Sequence, residues 1–417
     1  MVEKYIINGG ARLEGEVPII GAKNAVLPIL AATVINGTTN VISNVPKLKD
    51  VEVMIKILTS LGARVDIEGD TLIIDSSTIN RVTLPEELVR EMRSSIILMG
   101  ALLARFGEAV LSYPGGCEIG PRPIDLHLKS LRQMGTEIVE SHGFLYCKTD
   151  GLKGCEIQLD YPSVGATENI ILAATMAEGT TIIRNAAREP EIVDLQDYLN
   201  KAGCRVKGAG TSVIVVEGVQ KLNSCEHRII PDRIVAGTFM VAAAITRGEI
   251  VLKNVVLEHL QSIIAKLKET GTKVLVDRDE IKVIGPEKLY PIEMLQTLPY
   301  PGFPTDMQAQ FMALLTIADG TSIVNETVFE NRFKHAEELT RMGANIKTLG
   351  SVAVIKGIKE LTGAKVFAKD LRGGAALVLA GLAAQGVTEV ENINHVNRGY
   401  ENLYVSLNKL GANIISV

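Results

Sequence analysis

The chain has 417 residues, and its 43 Lys and Arg residues are outnumbered by 48 Asp and Glu residues, which gives a formal net charge of -5. This balance argues against a nucleic-acid-binding protein, because such proteins present a surplus of basic charge to phosphates. The longest uncharged apolar stretches, such as residues 234–245, are shorter than the roughly 18 residues expected of a membrane-spanning helix. We therefore expect neither nucleic acid nor a membrane as a partner.

The N-terminal sequence MVEKYIINGG has no apolar segment behind a basic start, so it predicts no secretory signal and a cytoplasmic location. The chain has five cysteines, at positions 117, 147, 155, 204 and 225, without the paired spacing of a zinc site. We expect free thiols. Apolar residues make up 47% of the chain but aromatic residues only 4%, so aliphatic side chains must fill the core.

In chain order, a motif of the form LxxxGxxV or LxxxGxxI occurs six times. Its glycines are Gly62, Gly135, Gly203, Gly271, Gly343 and Gly411, separated by 68 to 73 residues. Another glycine lies 23 to 28 residues before each of them, at Gly37, Gly107, Gly179, Gly248, Gly320 and Gly386. In both places we expect glycine to end a helix in the left-handed conformation that it adopts most easily. The sequence therefore predicts six copies of one structural unit.

An Ala-rich segment with little polar character precedes the first glycine of every copy, as expected of an interior helix. Each copy predicts a buried helix, a strand, a second helix and a strand pair. The sixth copy stops before its last strand, and the strand-like residues 3–20 belong to no complete copy, so we expect them to complete it. The prediction is two α/β domains of three units, each around a pseudo-threefold axis: residues 21–229, and residues 230–417 joined by residues 1–20.

The buried helices are predicted to begin about 14 residues before the first glycine of each copy. These starts are Lys23, Arg93, Gly165, Arg233, Asp306 and Arg372. Cations there oppose the helix dipole, so several at equivalent positions indicate a site for an anion. Because equivalent helix ends should converge in a three-unit domain, we expect one basic face per domain and a cleft between the domains that binds a polyanion. For Asp306 or Ser163 taken alone, the sequence favours a helix-capping role over a functional one.

The segment YPGGCEIGPRPIDL, residues 113–126, is a Gly- and Pro-rich loop. Cys117 lies on it near Arg122, a cation of the kind that lowers the pKa of a thiol, so we hypothesise that this cysteine is reactive. The other four cysteines are in strand or turn contexts and are interpreted as structural. Arg398 lies in the matching loop of the sixth copy, where a plain surface residue is the alternative.

Several segments resemble one family over the whole chain, the UDP-N-acetylglucosamine 1-carboxyvinyltransferases. The segments are GAKNAVLPILAA, PGGCEIGPRPIDLH, SVGATEN, PGFPTDMQ, ENRFKH, DLRGGAALV and RGYE. The resemblance implies an inside-out α/β barrel of two domains, each of three βαβαββ units. It also implies transfer of the enolpyruvyl group of phosphoenolpyruvate to the 3′-hydroxyl of UDP-N-acetylglucosamine, with release of phosphate and without a metal or organic cofactor. This addition-elimination is the first committed step of peptidoglycan precursor synthesis.

The resemblance further implies the roles of individual residues. Catalytic roles fall on Lys23, Asp306, Arg398 and Cys117, the last as the general acid that fosfomycin alkylates. The phosphoenolpyruvate site is implied at Lys23, Asn24, Arg93, Asp370, Arg372 and Arg398. The nucleotide-sugar site is implied at Arg122, Pro123, Ile124, Asp125, Leu126, Ser163, Val164, Asp306 and Val328. The chain departs from the family pattern at Tyr161, where some members have lysine, and at Asn397, where aspartate commonly precedes the arginine.

Two other functions are compatible with parts of the sequence. One is enolpyruvyl transfer to another acceptor such as shikimate 3-phosphate, against which the uridine segment RPIDL and Cys117 argue. The other is a catalytically silent paralogue that binds nucleotide-sugars or a partner protein. A binding protein needs no thiol, so this hypothesis is opposed by the joint presence of Asp306, Cys117, Lys23, Arg122 and Arg398. The sequence leaves open whether Asp306 is a base or a positioning group, and whether this is a major or a secondary copy of the enzyme.

Overall fold

The computed structural model describes residues 3–115 and 123–417. Its contacts divide the chain into two compact units with boundaries at Ile20/Gly21 and Ile230/Pro231. We call residues 21–230 the first unit, and residues 231–417 together with the N-terminal segment up to Ile20 the second unit. Each unit has its own core of aliphatic side chains.

The N-terminal segment forms β1 (Lys4–Asn8) and β2 (Glu14–Pro18). The first copy then consists of α1 (Lys23–Asn36), β3 (Thr39–Ser43), α2 (Lys49–Leu61), β4 (Arg64–Glu68) and β5 (Thr71–Asp75). The second consists of α3 (Glu86–Glu91), a 3₁₀ turn (Arg93–Ile97), α4 (Leu98–Phe106), β6 (Glu108–Ser112), α5 (Asp125–Gln133), β7 (Glu137–Ser141) and β8 (Phe144–Lys148). The third consists of β9 (Glu156–Gln158), α6 (Val164–Ala174), β10 (Thr180–Arg184), α7 (Pro190–Lys201), β11 (Arg205–Lys207) and β12 (Val213–Glu217).

After β13 (Glu226–Arg228), the fourth copy consists of α8 (Arg233–Ile245), β14 (Glu249–Lys253), a 3₁₀ turn (Leu257–Leu260), α9 (Gln261–Glu269), β15 (Lys273–Asp277) and β16 (Glu280–Ile284). The fifth consists of β17 (Met294–Gln296), a 3₁₀ turn (Thr305–Met307), α10 (Gln308–Leu315), β18 (Thr321–Asn325), α11 (Lys334–Arg341), β19 (Asn345–Leu349) and β20 (Val352–Lys356). The sixth consists of β21 (Lys365–Phe367), α12 (Leu371–Ala383), β22 (Val387–Glu391), a 3₁₀ turn (Ile393–Arg398), α13 (Leu403–Lys409) and β23 (Asn413–Ser416).

Each copy builds one small sheet of the same topology, with a parallel strand on one edge and an antiparallel pair on the other side. Among the described residues the sheet orders are β13-β3-β5-β4, β6-β8-β7, β9-β10-β12-β11, β2-β14-β16-β15, β17-β18-β20-β19 and β21-β22-β1-β23. In the second copy the parallel edge is reduced to a bridge between Thr83 and Val110. The predicted sixfold repeat is therefore confirmed.

The expectation that the N-terminal segment completes the sixth copy is confirmed for β1 and wrong for β2. Strand β1 pairs antiparallel with β22 and with β23, with Ile7 opposite Thr388 and Ile414. Strand β2 instead pairs in parallel with β14 of the fourth copy, with Val17 opposite Leu252. Strand β13 likewise precedes α8 in the chain but pairs with β3 of the first copy. These two parallel strands are the last strands before the two points at which the chain passes from one unit to the other.

In each unit, the three buried helices, one from each copy, pack against one another. They are α1, α4 and α6 in the first unit, and α8, α10 and α12 in the second. Nearly all of their residues are buried, as their apolar composition predicts. The predicted starts are confirmed to within a residue for four helices, while Arg93 and Asp306 lie in 3₁₀ turns that lead into α4 and α10.

Eleven of the twelve glycines have the predicted positive φ, and eight of these lie at the helix end itself, as the C-cap or the next residue. The prediction is wrong for the helix ends near Gly179, Gly320 and Gly386, because α6, α10 and α12 end three to five residues earlier, and it is wrong at Gly248. There the left-handed residue is Arg247, with φ of 57°. A Cβ atom on Gly248 would lie 2.2 Å from the carbonyl oxygen of Leu13, so glycine is needed for close backbone approach instead.

Candidate active site

In the second unit, a carboxylate and two arginines form a buried charge cluster. Asp306 lies in the 3₁₀ turn before α10, Arg332 precedes α11, and Arg372 lies in the first turn of α12. Nη2 of Arg332 is 2.7 Å from Oδ1 of Asp306, and Nη2 of Arg372 is 3.0 Å from Oδ2. Each arginine side chain is 4% exposed and the aspartate 26%. Each oxygen of the Asp306 carboxylate is therefore bound by one arginine, and part of the aspartate side chain stays exposed.

The cluster keeps Asp306 and Arg372 ionised. Burial alone raises the pKa of Asp306, but the charges of Arg372 and Arg332 outweigh burial and hold the pKa of this carboxyl well below its ordinary value. Burial alone lowers the pKa of Arg372, and the charge of Asp306 more than reverses that effect. The site thus carries two fixed positive charges and one fixed negative charge.

The two arginines have more donors than the aspartate uses. Nη1 of Arg332, and Nε and Nη1 of Arg372, are buried without a hydrogen-bond partner among the described residues. An unsatisfied buried donor costs about 1–3 kcal/mol, and more when it is charged. An anion with several oxygens, such as a carboxylate or a phosphate, would satisfy these N–H groups with charge-assisted hydrogen bonds. The arrangement therefore favours an anionic ligand beside Asp306.

Glu326 holds the turn that carries Asp306. Its Oε2 accepts a hydrogen bond of 2.8 Å from the hydroxyl of Thr305, the residue before Asp306. Its Oε1 accepts hydrogen bonds from the backbone N–H groups of Val328 and Phe329 and from the hydroxyl of Thr297. One buried carboxylate thus ties the turn of Asp306 to the loop of Val328, the predicted sugar contact.

The three helix starts of the second unit converge, as expected. Asp232 caps α8 and Asp370 caps α12, each through hydrogen bonds from two backbone N–H groups. The charge of Asp232 also acts on Arg372, whose side chain binds Asp306. Asp306 itself makes no capping hydrogen bond. Between the two interpretations of Asp306, the geometry favours function. Asp370 has a capping role, and its predicted role in binding stays a prediction.

Arg398 ends the 3₁₀ turn of the sixth copy and is half-buried. Its neighbour Asn397 accepts a hydrogen bond of 3.3 Å from the hydroxyl of Tyr5. Two residues further on, the ring of Tyr400 lies under the guanidinium of Arg372, with 5.4 Å between the guanidinium carbon and the ring centroid. The segment that carries Arg398 therefore packs against the charge cluster.

In the first unit, Lys23 is the first residue of α1 and Asn24 the second. Nζ of Lys23 is 2.9 Å from Oδ2 of Asp50, in the first turn of α2, and both side chains are mostly buried. The cation at this helix start therefore has a carboxylate from the neighbouring helix. Arg93 begins the 3₁₀ turn that packs against α1 and α6, so it lies at the same end of the helix group.

Ser163 caps α6, and its hydroxyl accepts a hydrogen bond of 3.3 Å from the N–H of Ala166. For this residue the geometry supports the capping interpretation. Val164 is the first residue of the helix and is half-buried. Tyr161, which replaces a lysine of some relatives, is 42% exposed.

The predicted nucleotide segment leads into α5. Pro123 and Asp125 are exposed, Leu126 is half-buried, and the side chain of Ile124 packs into the core. If Ile124 contacts a ligand, it does so through its backbone. Cys117 and Arg122 lie outside the described residues, so their predicted roles stay predictions.

The other four cysteines are free thiols. Burial raises the pKa of Cys147 to about 12 and of Cys204 to about 11, and it also raises the pKa of Cys155 and Cys225. These thiols stay protonated at neutral pH, which supports the interpretation that they are structural.

Over residues 3–115 and 123–417, His, Cys, Asp and Glu side chains form no group of three or more that could hold a metal ion. Within the same ranges, every helix is too short or too polar to cross a membrane.

Sequence reasoning missed three residues that shape the site: Asp50, Glu326 and Arg332. Arg332 lies within ENRFKH, a segment that already carried the family resemblance, so its charge was a usable signal. Asp50 and Glu326 gave no local signal, because their roles depend on partners 27 and 21 residues away in the chain.

Comparisons with known proteins agree with this geometry. A family described as EPSP synthase (3-phosphoshikimate 1-carboxyvinyltransferase) matches residues 7–407. The enolpyruvyl transferase NikO from Streptomyces tendae superposes with a TM-score of 0.91 over 100% of this chain and 99% of its own, at 27% identity. EPSP synthase from Acinetobacter baumannii superposes with a TM-score of 0.78 over 100% of both chains, at 19% identity. The chain has the predicted fold and belongs to the enolpyruvyl transferases.

Its sequence relatives narrow this class. UDP-N-acetylglucosamine 1-carboxyvinyltransferase 2 from Caldanaerobacter subterraneus subsp. tengcongensis is 56% identical over 414 residues, 99% of each chain. UDP-N-acetylglucosamine 1-carboxyvinyltransferase 1 from Carboxydothermus hydrogenoformans is 54% identical over 99% of this chain and 98% of its own. The chain therefore belongs to the UDP-N-acetylglucosamine 1-carboxyvinyltransferase family.

Proposed function

We propose that this protein transfers the enolpyruvyl group of phosphoenolpyruvate to the 3′-hydroxyl of UDP-N-acetylglucosamine and releases phosphate, in the synthesis of peptidoglycan precursors. The observation that carries the proposal is the cluster of Asp306, Arg332 and Arg372, in which an ionised carboxylate stands beside buried arginine donors without partners. Orientation of a hydroxyl and charge stabilisation of an anion are what this reaction needs. Family membership supplies the identity of the two substrates.

The proposed chemistry is an addition followed by an elimination. In the addition, the 3′-oxygen bonds to C2 of phosphoenolpyruvate, the hydroxyl proton passes by way of Asp306 to a phosphate oxygen, and C3 gains a proton from the Cys117 thiol. In the elimination, C3 returns a proton to the Cys117 thiolate, the bond between C2 and the phosphate oxygen breaks, and inorganic phosphate leaves with the proton of the hydroxyl. Neither step needs an oxidant, a metal or an organic cofactor.

The cations are assigned to the anionic substrate. Lys23, Arg93, Arg372 and Arg398 would bind the carboxylate and phosphate of phosphoenolpyruvate, with Asn24 and Asp370 beside them. Fixed cations stabilise the charge that leaves with the phosphate without having to reorganise during the reaction. Because these residues come from both units, the proposal requires both to act on the same substrates. The cleft expected from the sequence stays a prediction.

The nucleotide-sugar is assigned to Arg122, Pro123, Ile124, Asp125 and Leu126, to Ser163 and Val164, and to Val328 near Asp306. Asp306 is the group placed at the 3′-hydroxyl. Because two arginines hold its pKa far below neutrality, this carboxylate is a weak base. We therefore assign it first to accepting a hydrogen bond from the hydroxyl and orienting it, rather than to keeping the proton. The cytoplasmic location stays a prediction from the sequence.

The test is to incubate the purified protein with phosphoenolpyruvate and UDP-N-acetylglucosamine and to follow inorganic phosphate. Release that depends on both substrates supports the proposal. A parallel reaction with shikimate 3-phosphate tests the acceptor, because release with that acceptor alone would assign the chain to the other transferase activity. No release with either acceptor would indicate a silent paralogue.

A further inference from the structure

Beneath the charge cluster lies a buried polar network formed by Thr238, Gln310 and Tyr400, which we call the Tyr400 network. Thr238 is on α8, Gln310 is on α10, and Tyr400 follows the 3₁₀ turn that ends at Arg398. Their exposed fractions are 1%, 0% and 2%. Polar groups this deep in an aliphatic core cost stability unless they are satisfied, so their placement calls for a specific role.

The direction of the hydrogen bonds follows from the distances. The hydroxyl of Thr238 donates to the carbonyl of Ile234 at 2.8 Å. Its only hydrogen is thereby used, so in the 2.9 Å contact between the two hydroxyls Tyr400 is the donor. Nε2 of Gln310 donates to the Tyr400 oxygen at 3.2 Å and to the backbone carbonyl of Asp306 at 2.9 Å. Gln310 thus donates on one side to Asp306 and on the other side to Tyr400, which passes the chain on to Thr238 and α8; Nε2 of Gln310 also lies 3.3 Å from the Thr238 hydroxyl.

Two members of the network act directly on the charge cluster. Gln310 holds the backbone of Asp306 through its carbonyl. The ring of Tyr400 lies under the guanidinium of Arg372, while its hydroxyl is fixed by Thr238 and Gln310. A cation over an aromatic ring is attracted to the ring face, so fixing the ring also fixes the guanidinium.

We infer that Tyr400 and Gln310 are positioning residues of the reaction: they set the relative positions of the Asp306 carboxylate, the Arg372 guanidinium and the segment carrying Arg398. This inference rests on the proposed function. Neither residue needs to touch a substrate, because each acts through Asp306 or Arg372. A displacement of about 1 Å in such groups is enough to cost about a hundredfold in rate.

The sharpest variant is Tyr400→Phe, which keeps the ring under Arg372 and removes only the hydroxyl. Gln310, Thr238 and the Arg372 guanidinium then each lose a contact with the hydroxyl, whereas Gln310 and Thr238 keep their own contact of 3.3 Å. The matched control is Tyr198→Phe in the first unit, because the hydroxyl of Tyr198 is equally buried and donates one hydrogen bond of 3.0 Å to Asn40. The two variants remove the same group from equally buried surroundings.

We expect Tyr400→Phe to lower kcat/KM for phosphoenolpyruvate by about tenfold to a hundredfold, and Tyr198→Phe to stay within about twofold of the native protein. Thermal unfolding of both variants reports the purely structural cost, which we expect to be similar. An equal loss of activity in the two variants, or a Tyr400→Phe enzyme as active as the native protein, would overturn the inference.

A second pair of variants keeps the test decisive if Tyr400→Phe does not fold. Thr238→Val removes the acceptor of the Tyr400 hydroxyl at constant size, and Thr238→Ser retains it. We expect the valine variant to lose activity like Tyr400→Phe and the serine variant to recover most of it; equal activities would contradict the inference. The native protein is assayed first with both substrates. Its failure to release phosphate would refute the proposed function, whereas an active native protein with unaffected variants would refute only the positioning roles.

Discussion

The helix starts of the two units carry similar residues but compensate their charges differently. In the second unit, Asp306 and Arg372 come from two different helix starts and bind each other, with Arg332 as a third member. In the first unit, Lys23 pairs with Asp50 from the next helix of its own copy, and Ser163 caps its own helix. One repeated architecture therefore produces a shared cluster in one unit and locally satisfied ends in the other.

The two units differ in whether an anionic substrate must break an existing contact in order to bind. The cluster of the second unit retains buried N–H groups without partners, so an anion can bind there without breaking an existing contact. At Lys23, an incoming anion has to compete with the carboxylate of Asp50 for the ammonium. We therefore expect the second unit to be the more sensitive to loss of a single charge.

Asp306→Asn should have the largest effect. The amide cannot compensate two buried guanidinium charges, and it no longer offers an anionic acceptor to the substrate hydroxyl. We expect kcat to fall by about 10²–10⁴-fold in the phosphate-release assay. Asp319→Asn is the control, because Asp319 pairs with Lys288 on the surface of the same unit and should leave kcat unchanged. An Asp306→Asn enzyme within tenfold of the native protein would show that the cluster is not catalytic.

Lys23→Gln should reduce activity less than Asp306→Asn. Loss of one charge-assisted contact costs about 1.5–3 kcal/mol, or roughly tenfold to a hundredfold in kcat/KM for phosphoenolpyruvate. Asp50→Asn should have a smaller effect of the opposite kind: the ammonium is released for the substrate, so KM for phosphoenolpyruvate should not rise. Steady-state kinetics of both variants test this. A larger rise of KM in Asp50→Asn than in Lys23→Gln would mean that Asp50 mainly orients the lysine.

Cys117→Asp tests the thiol, which the resemblance assigns as the proton donor and the site of alkylation by fosfomycin. A carboxyl group can still deliver a proton but is not alkylated in the same way, so we expect inactivation by fosfomycin to disappear while some turnover remains. Residual activity after timed exposure to fosfomycin is the measurement. Cys155→Ala is the control and should remain fully sensitive. Undiminished inactivation of Cys117→Asp would show that the thiol assignment is wrong.

His335 gives the second unit a pH dependence of stability. Its ring is 2% exposed, and burial together with the charge of Arg332 lowers its pKa to about 4, although the charge of Asp370 acts in the opposite direction. Because the unfolded chain binds this proton near pH 6.5 and the folded chain only near pH 4, stability is full above about pH 6.5 and falls as the pH drops towards 4. Thermal unfolding between pH 4.5 and 7.5 should show a smaller acid loss for His335→Gln. His142→Asn, at an exposed position, should behave like the native protein.

Much of the fold was predictable from the sequence because it depends on local signals. The glycines mark helix ends, and the Ala-rich segments mark buried helices, so six copies and their starts followed from spacing. The sequence contains no signal that β2 joins the sheet of the fourth copy and β13 the sheet of the first copy. Parallel edge strands of three to five residues are recognised only by the strands with which they pair. Gly248 shows the same limit: glycine was predicted correctly as necessary, but for the wrong reason, since the close approach of Leu13 is a long-range contact.

The candidate site was likewise predictable where it depends on local signals and not where it depends on tertiary contacts. Residues at helix starts were found from position, and the family resemblance supplied roles. The roles of Asp50, Glu326 and Arg332 depend on contacts with residues distant in the chain, so they were missed. For Asp306 and Ser163 taken alone, the sequence favoured capping over binding, because an oxygen at a helix start is most simply explained as a cap. The structure separates them by the partner that each oxygen has.

Ser163→Ala should have the smallest effect and completes the comparison with Asp306. Loss of the cap costs about 1 kcal/mol of stability. Since the hydroxyl is engaged with the N–H of Ala166, we expect KM for UDP-N-acetylglucosamine to stay within about threefold of the native value, with any nucleotide contact made by the backbone. Ser163→Thr retains a capping oxygen and should recover the stability. A tenfold rise in KM without loss of stability would reverse the assignment, because the hydroxyl would then serve the ligand rather than the helix, as Asp306 does in the other unit.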